Sequence, residues 1–427
     1  MPRAIEVHEL PGVEAALATR DPVACARQIA DILAEGADRR EVVHTAALAS
    51  ARHFAPAVPP PRALLALAAS LDLAAKSTDP ARPVVQACAL AASEWRDEPL
   101  EAPAHAITGD EIHLGRSFLA AVRAADAPEA DALFTGLLRE GDERRLAGDV
   151  LFEACAQDLA GDGQKLPFAV GSWRLARTLD WGRGADLLRP AVRVAASVPQ
   201  DFSDSSASLR EAGRSRLDLE LAARNVAPVD AVARNTFGIA LSGGPDRVVA
   251  DLVASLKRGR TPAGYADLIA TTAAERLIGE PQALEPALFA LAVRFVLGFS
   301  RTATHVLGVF QAARAVARVR AVAMPPPARI SDPEIGLRDL EAAIEEREPV
   351  GAARLALGLV DATEPDAVAH VLIRQAAIGD AHADGGLRLP YAAWATEFAK
   401  DAPAPALASL AAVLARGPMS RAVAEAL

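Results

Sequence analysis

Three polar residues sit inside apolar stretches at matching places along the chain. His44 lies in Val43-His44-Thr45-Ala46, Asp149 in Gly148-Asp149-Val150-Leu151 and Asp267 in Ala266-Asp267-Leu268-Ile269. Each falls eight residues after the glycine of a Leu-x-x-Gly phrase, at Gly36, Gly141 and Gly259. A polar side chain on an apolar face must find a partner or reach solvent, because unpaired burial costs about 2–7 kcal/mol. If the segments surround a common axis, one histidine and two carboxylates converge. That catalytic donor set would suit iron(II) or a similar metal. The plainer alternative is that the three residues bond to neighbouring loops or face water.

A second constellation comes from a phrase used twice. Asp162-Gly163-Gln164-Lys165-Leu166-Pro167-Phe168 leads to Trp173, and Asp384-Gly385-Gly386-Leu387-Arg388-Leu389-Pro390-Tyr391 leads to Trp394. Glu285, in Leu284-Glu285-Pro286-Ala287, holds a place similar to that of Gln164 and Gly386. All three sites fall at expected helix starts. Lys165 and Arg388 could therefore hold an anion beside free N–H groups. The competing reading is structural: Asp-Gly makes a turn, Pro opens a helix, and the aromatic and Trp fill the core. None of the remaining histidines, His8, His53, His105, His113, His305, His370 and His382, has a metal-binding spacing. His382, in Gly379-Asp380-Ala381-His382, is the most loop-like. There is no Walker loop, no nucleotide-binding glycine fingerprint and no nucleophile elbow. Ser242-Gly243-Gly244-Pro245-Asp246 lacks a preceding strand and reads as a turn between helices.

The elements carrying these residues are helices. Roughly a quarter of the 427 residues are Ala, the best helix former. Aromatic residues make up 4% and Tyr only 2 residues, poor material for strands. The expected fold is all-α. The Leu-x-x-Gly phrase recurs at Leu33–Gly36, Leu138–Gly141 and Leu256–Gly259, with a fourth copy, Ile344–Arg347, that has lost its glycine. This suggests about four degenerate helical repeat units in a compact or curved array, spanning 1–125, 126–205, 206–324 and 325–427. The glycines suit the left-handed position after a helix. Thr261-Pro262 suits a helix start, with Thr as cap. Pro56–Pro61 reads as a break, Pro199–Ser208 as a polar loop and Pro325–Pro333 as a linker.

The net charge of −10, from 45 basic and 55 acidic residues, argues against a nucleic-acid partner. Cys25, Cys88 and Cys155 lie far apart in apolar contexts, as expected for small buried groups in a reducing compartment. Met1–Pro22 lacks the apolar run of a secretory signal. Ala283–Phe299 carries Glu285 and Arg294 and reads as a buried helix of a soluble, cytoplasmic protein, not a membrane span.

Beyond these patterns, Gly163–Phe168, Ser172-Trp173-Arg174, Thr178–Trp181, Leu187–Pro190 and the Gly379–His382 stretch resemble uncharacterised all-helical bacterial proteins similar to the questin oxidase-like family. The resemblance covers Ala130 to Pro403. It implies an oxygenase-like ancestry, in a family associated with oxidative, Baeyer–Villiger-type ring opening of aromatic polyketides. Where those relatives carry histidine, this chain has Gln164 and Glu285. Only His382 carries over.

The leading expectation is an oxygenase-type oxidoreductase acting on a small hydrophobic metabolite, aromatic compounds included. His44, Asp149 and Asp267 would form its centre, iron the conceivable metal. Gln164, Glu285 and His382 would line the substrate site, and Trp173 and Trp394 would wall it. The rival is a non-catalytic helical repeat that binds a partner protein or a ligand. A third option is a structural subunit of an oligomer.

Overall fold

Helix starts follow the sequence's own punctuation. The computed structural model describes residues 9–102, 105–140, 144–181, 183–417 and 420–425. The chain runs through α1 (Pro11–Ala18), α2 (Pro22–Ala34), α3 (Arg39–Arg52), α4 (Ala63–Ala74), α5 (Ala81–Ser93), α6 (Glu111–Arg123), α7 (Ala127–Glu140) and α8 (Arg145–Gln157). It continues through α9 (Lys165–Thr178), α10 (Gly184–Ala195), α11 (Ser203–Arg214), α12 (Leu219–Ala223), α13 (Ala231–Ser242), α14 (Pro245–Lys257), α15 (Pro262–Gly279) and α16 (Leu284–Phe299). The last elements are α17 (Ala303–Arg318), α18 (Pro333–Glu345), α19 (Pro349–Ala362), α20 (Pro365–Ile378), α21 (Arg388–Phe398), α22 (Pro403–Arg416) and α23 (Ala422–Glu425). Short 3₁₀ turns at Ala160–Gly163, Pro281–Ala283 and Ala381–Asp384 lead into α9, α16 and α21. The fold is all-α, with no strand among the described residues and one isolated bridge between Ala227 and Arg260.

Aspartates supply the caps. Asp21 accepts from the Val23 and Ala24 N–H groups, and Asp38, Asp110, Asp218, Asp230 and Asp332 do the same for their own helices. Proline opens α2, α14, α15, α18, α19, α20 and α22, where its missing N–H costs nothing.

Four helices make the centre. α4 packs on α9, α9 on α16, α16 on α21, and α21 returns to α4. The other helices wrap this ring: α5 covers α4, α10 covers α9, α15 and α17 cover α16, and α22 covers α21. One continuous apolar core runs from Val13 to Val423. Alanine at many contacts lets helix axes approach closely. Pro281–Phe299 is the one stretch among the described residues long and apolar enough to cross a membrane. Here its α16 segment is a member of the central ring.

The turn glycines behave as expected. Gly36 and Gly259 have φ of 100° and 84° just after α2 and α14. The fourth phrase keeps this geometry without its glycine, with Arg347 at φ 63°. Gly141 lies outside the described residues, as does His8. Thr261 stands at the cap of α15, but its hydroxyl makes no capping bond.

One boundary needs correction. Pro199–Ser208 is not all loop, because α11 begins at Ser203. Asp201 accepts from the Ser203 N–H and hydroxyl at 3.0 and 2.6 Å and starts the helix. The Ser and Asp side chains that suggested a loop form a buried polar face. Ser208 accepts from Arg314 Nε at 3.0 Å and Asp204 from Arg314 Nη1 at 3.3 Å. The cysteines are buried, and burial pushes the Cys25 and Cys155 thiols up to about 12, which keeps them unreactive.

Candidate functional site

The three polar residues expected at one centre occupy three environments. His44 is buried in α3 within the apolar run Val42–Ala51. Asp149, on α8, accepts from the Ser300 hydroxyl, and its Oδ1 lies 3.6 Å from His305 Nε2. Asp267 projects from the outer face of α15 and pairs with Arg294 Nε at 2.6 Å, its side chain 54% exposed. Arg294 is shared with Asp401 at 2.8 Å, so it is fully engaged by surface carboxylates. The described residues contain no group of three or more His, Cys, Asp or Glu placed to hold a metal ion. The donors present do not fit an iron centre.

The second constellation does come together. Gln164 stands at the N-cap of α9, and Glu285 is the second residue of α16. Arg62, at the N-cap of α4, donates from Nη2 to Gln164 Oε1 and to Glu285 Oε1, both at 2.8 Å. The turn before α21 completes the group: a Cβ on Gly386 would lie 3.0 Å from Arg62 Cβ. Four helix starts therefore meet around one arginine, its guanidinium on those of α9 and α16 and its Cβ against the turn before α21.

The local backbone explains how. Gly161, Asp162 and Gly163 are consecutively left-handed at φ 61°, 59° and 79°, and Gly385 and Gly386 repeat this at 72° and 79°. Glycine accepts such values freely, but aspartate at Asp162 does so under strain. At Gly163, a Cβ would press on Phe289, so the turn can sit against α16 only with glycine. These reversals end each 3₁₀ turn and aim α9 and α21 into the ring.

Electrostatics at this head oppose one another. Uncapped N-termini of α9, α16 and α21 favour negative charge. Desolvation disfavours it and wins. Burial pushes the Glu285 carboxyl above its ordinary value, although Arg62 pulls it down. Burial also raises Asp384, against Arg388, the Gly386 N–H and Arg62. Glu94 is raised by burial too, while accepting from the Arg62 and Ala63 N–H groups at 2.8 and 2.7 Å. The result is an arginine facing carboxyls whose burial makes them hold a proton more readily, a set suited to proton donation and to steadying a developing negative charge.

Beside the head lies an open cleft of about 370 Å³ lined by Asp162, Glu280, Pro286, Ala315 and Val319 among others. Pro286 adjoins Glu285 in the chain, and Asp162 lies near enough to raise the Glu285 carboxyl. His382 rides on the same 3₁₀ turn as Asp384, and its buried Nδ1 has no hydrogen-bond partner among the described residues.

The two tryptophans do not wall this head. Trp173 is 2% exposed and packs edge-on against Phe152, Trp181 and Phe299. Trp394 lines a separate cleft of about 310 Å³ with Arg174 and Phe295. Arg174 is ten residues beyond Gln164 on α9, about 15 Å along the helix. Lys165, a candidate anion ligand, is fully buried: its ammonium donates to Asp158 Oδ2 and to the Ser197 carbonyl, both at 2.7 Å.

Sequence reading missed Arg62, Asp384, Ser300 and His305 as site members. Arg62 left one trace, a basic residue after a proline run where a helix begins. Asp384 was visible only as a turn former. Comparison of the chain with protein families, with curated proteins and with solved structures finds no match.

Proposed function

We propose that the head of the four-helix ring is the reactive site of a small-molecule enzyme. Arg62 orients substrate oxygen, Glu285 and Asp384 exchange protons, and Gln164 fixes Arg62. His382 offers a further proton-bearing nitrogen on the same turn. One observation carries this reading: Arg62 joins side chains 102 and 223 residues away at the meeting point of four helix starts. Burying such a junction carries a desolvation cost, and ionisable groups shifted by burial beside a charge partner concentrate at functional sites. The substrate is a hydrophobic metabolite, aromatic compounds included, seated in the cleft beside Asp162 and Pro286. Its size fits the lower end of ligand pockets, about 300–1,000 Å³. The oxygenase-type assignment rests on the resemblance of the Gly163–Trp173 and Gly379–His382 stretches.

The repeat reading belongs to the same proposal. The ring helices start at residues 63, 165, 284 and 388, about a hundred residues apart. Each would be the inner helix of one degenerate unit, so that duplication placed one polar slot per unit at the head.

The test uses a panel of aromatic polyketides. Binding is followed by thermal shift, turnover by product analysis and oxygen uptake. Glu285→Gln, close in shape, should lower turnover about 10²–10⁴-fold while the protein stays folded. Oxygen uptake coupled to product supports the oxygenase assignment. Conversion without it leaves acid–base chemistry. Equal turnover by Glu285→Gln and wild type would remove the head from the mechanism. Binding without conversion of any compound would favour the scaffold reading.

A further inference from the structure

A third cleft, apart from the one beside the head and the one at Trp394, lies where the ends of α18, α20 and α22 meet the start of α21. Its volume is about 280 Å³, and its lining includes Arg347, Arg388, Arg421, Glu345 and Gln375. Arg388 is the unusual member. It is 5% exposed, yet its Nη2 has no hydrogen-bond partner among the described residues. Among the described residues Asp384 is its ion-pair partner, 3.0 Å from Nε. A buried guanidinium with idle donors is costly, so such a group calls for an acceptor.

The backbone around Arg388 keeps the space clear. A Cβ on Gly379 or on Gly417 would collide with the guanidinium from either side. Arg347 bonds the Gly417 carbonyl, and Arg421 faces Glu345 at 3.6 Å, beyond a good hydrogen bond. Helix ends at this wall turn carbonyls toward the cleft and oppose negative charge. Donors decide against that opposition. Arg388 Nη2 has no acceptor among the described residues, the Arg421 guanidinium stands 3.6 Å from Glu345, and three arginines face one glutamate along the lining.

We propose that this cleft binds a small oxyanion with at least two acceptor oxygens, a phosphate or a carboxylate group, between Arg388 and Arg421. Lys165, the matching residue at the start of α9, offers no such site, because its ammonium is spent on Asp158 and backbone carbonyls. Through Asp384, which touches Arg388 and lies close to Arg62, the occupant would also bear on the head.

Isothermal titration of the full chain with inorganic phosphate and, separately, with succinate tests this, with sodium chloride at equal ionic strength as control. One of the two anions should bind, and which one does identifies the class. Arg421→Gln sits on the half-exposed rim and should fold normally, and it should weaken binding roughly tenfold or more. Arg388→Gln, checked for helicity by circular dichroism, should abolish it. The proposal fails if wild type gives no more heat with either anion than with chloride. It also fails if folded Arg421→Gln and Arg388→Gln bind as tightly as wild type.

Discussion

His305 shows how a single buried residue sets a pH response. Its Nδ1 lies 3.0 Å from both the carbonyl and the hydroxyl of Ser300, so this nitrogen carries the proton and Nε2 faces Asp149 with a lone pair. Burial pushes the imidazole below its ordinary 6.5, while Ser300 and Asp149 pull it up and Arg145 pulls it down. The folded chain therefore takes up this proton less readily than the unfolded one. The stabilising contribution is fully present above the unfolded value and is lost as pH falls through the folded value. The melting temperature of wild type should drop more steeply than that of His305→Gln between about pH 7.5 and about pH 5.5. Parallel curves would show that His305 does not titrate in this window. The residue scale is also where sequence reading was weakest. Gln164 and Glu285 were placed at one site through a shared motif slot, and they do meet. Arg62, which joins them, has no motif of its own, because its role comes from tertiary contact across 102 and 223 residues. Asp149 and Asp267 were polar residues in apolar text. One found a serine and a histidine, the other a surface arginine, and spacing along the chain cannot tell these apart.

At the scale of elements, the turns were legible and the docking of segments was not. Glycine after a helix has a local cause, left-handed backbone, and Gly36 and Gly259 follow it. Pro325–Pro333 reads as a linker, and its middle is tied down. The Ala328 N–H donates to the Arg354 carbonyl at 2.8 Å, and Arg354 Nε to the Pro326 carbonyl at 3.2 Å. The strap lies so close to α19 that a Cβ on Gly358 would strike the Ala328 carbonyl. Gly358→Ala should therefore destabilise the protein by about 1–3 kcal/mol, as overpacking does, even though alanine is the better helix former. Chemical denaturation measures this directly. A neutral or stabilising result would mean the strap moves aside without cost. Nothing local marks Gly358, since its constraint comes from a segment thirty residues earlier.

For the molecule as a whole, composition alone foretold an all-α fold, because alanine abundance and scarce aromatics leave few other outcomes. Composition and punctuation suggest units that close around an apolar interior but leave open whether they form a ring. The last hundred residues are built into the rest: α21 lies on α4, α22 on α15, and Arg416 bonds the carbonyls of Leu277 and Ile278. Residues 1–324 and 325–427, produced separately, should each lose helicity and solubility and should regain both on mixing or co-expression. Circular dichroism and size-exclusion chromatography report this. Two stable fragments would instead show that the Pro-rich strap separates independent domains. Ring closure also bears on how the protein is made. Lys76 at the end of α4 reaches Thr396 on α21, a partner 320 residues later. At roughly 5–20 residues per second, a ribosome needs between about fifteen seconds and a minute to deliver it. Throughout that interval α4, whose Leu64 and Leu67 are buried in the finished protein, lacks its α21 partner. The nascent chain thus spends most of its synthesis with a sticky surface bare, and yield in a cell will depend on what shields it.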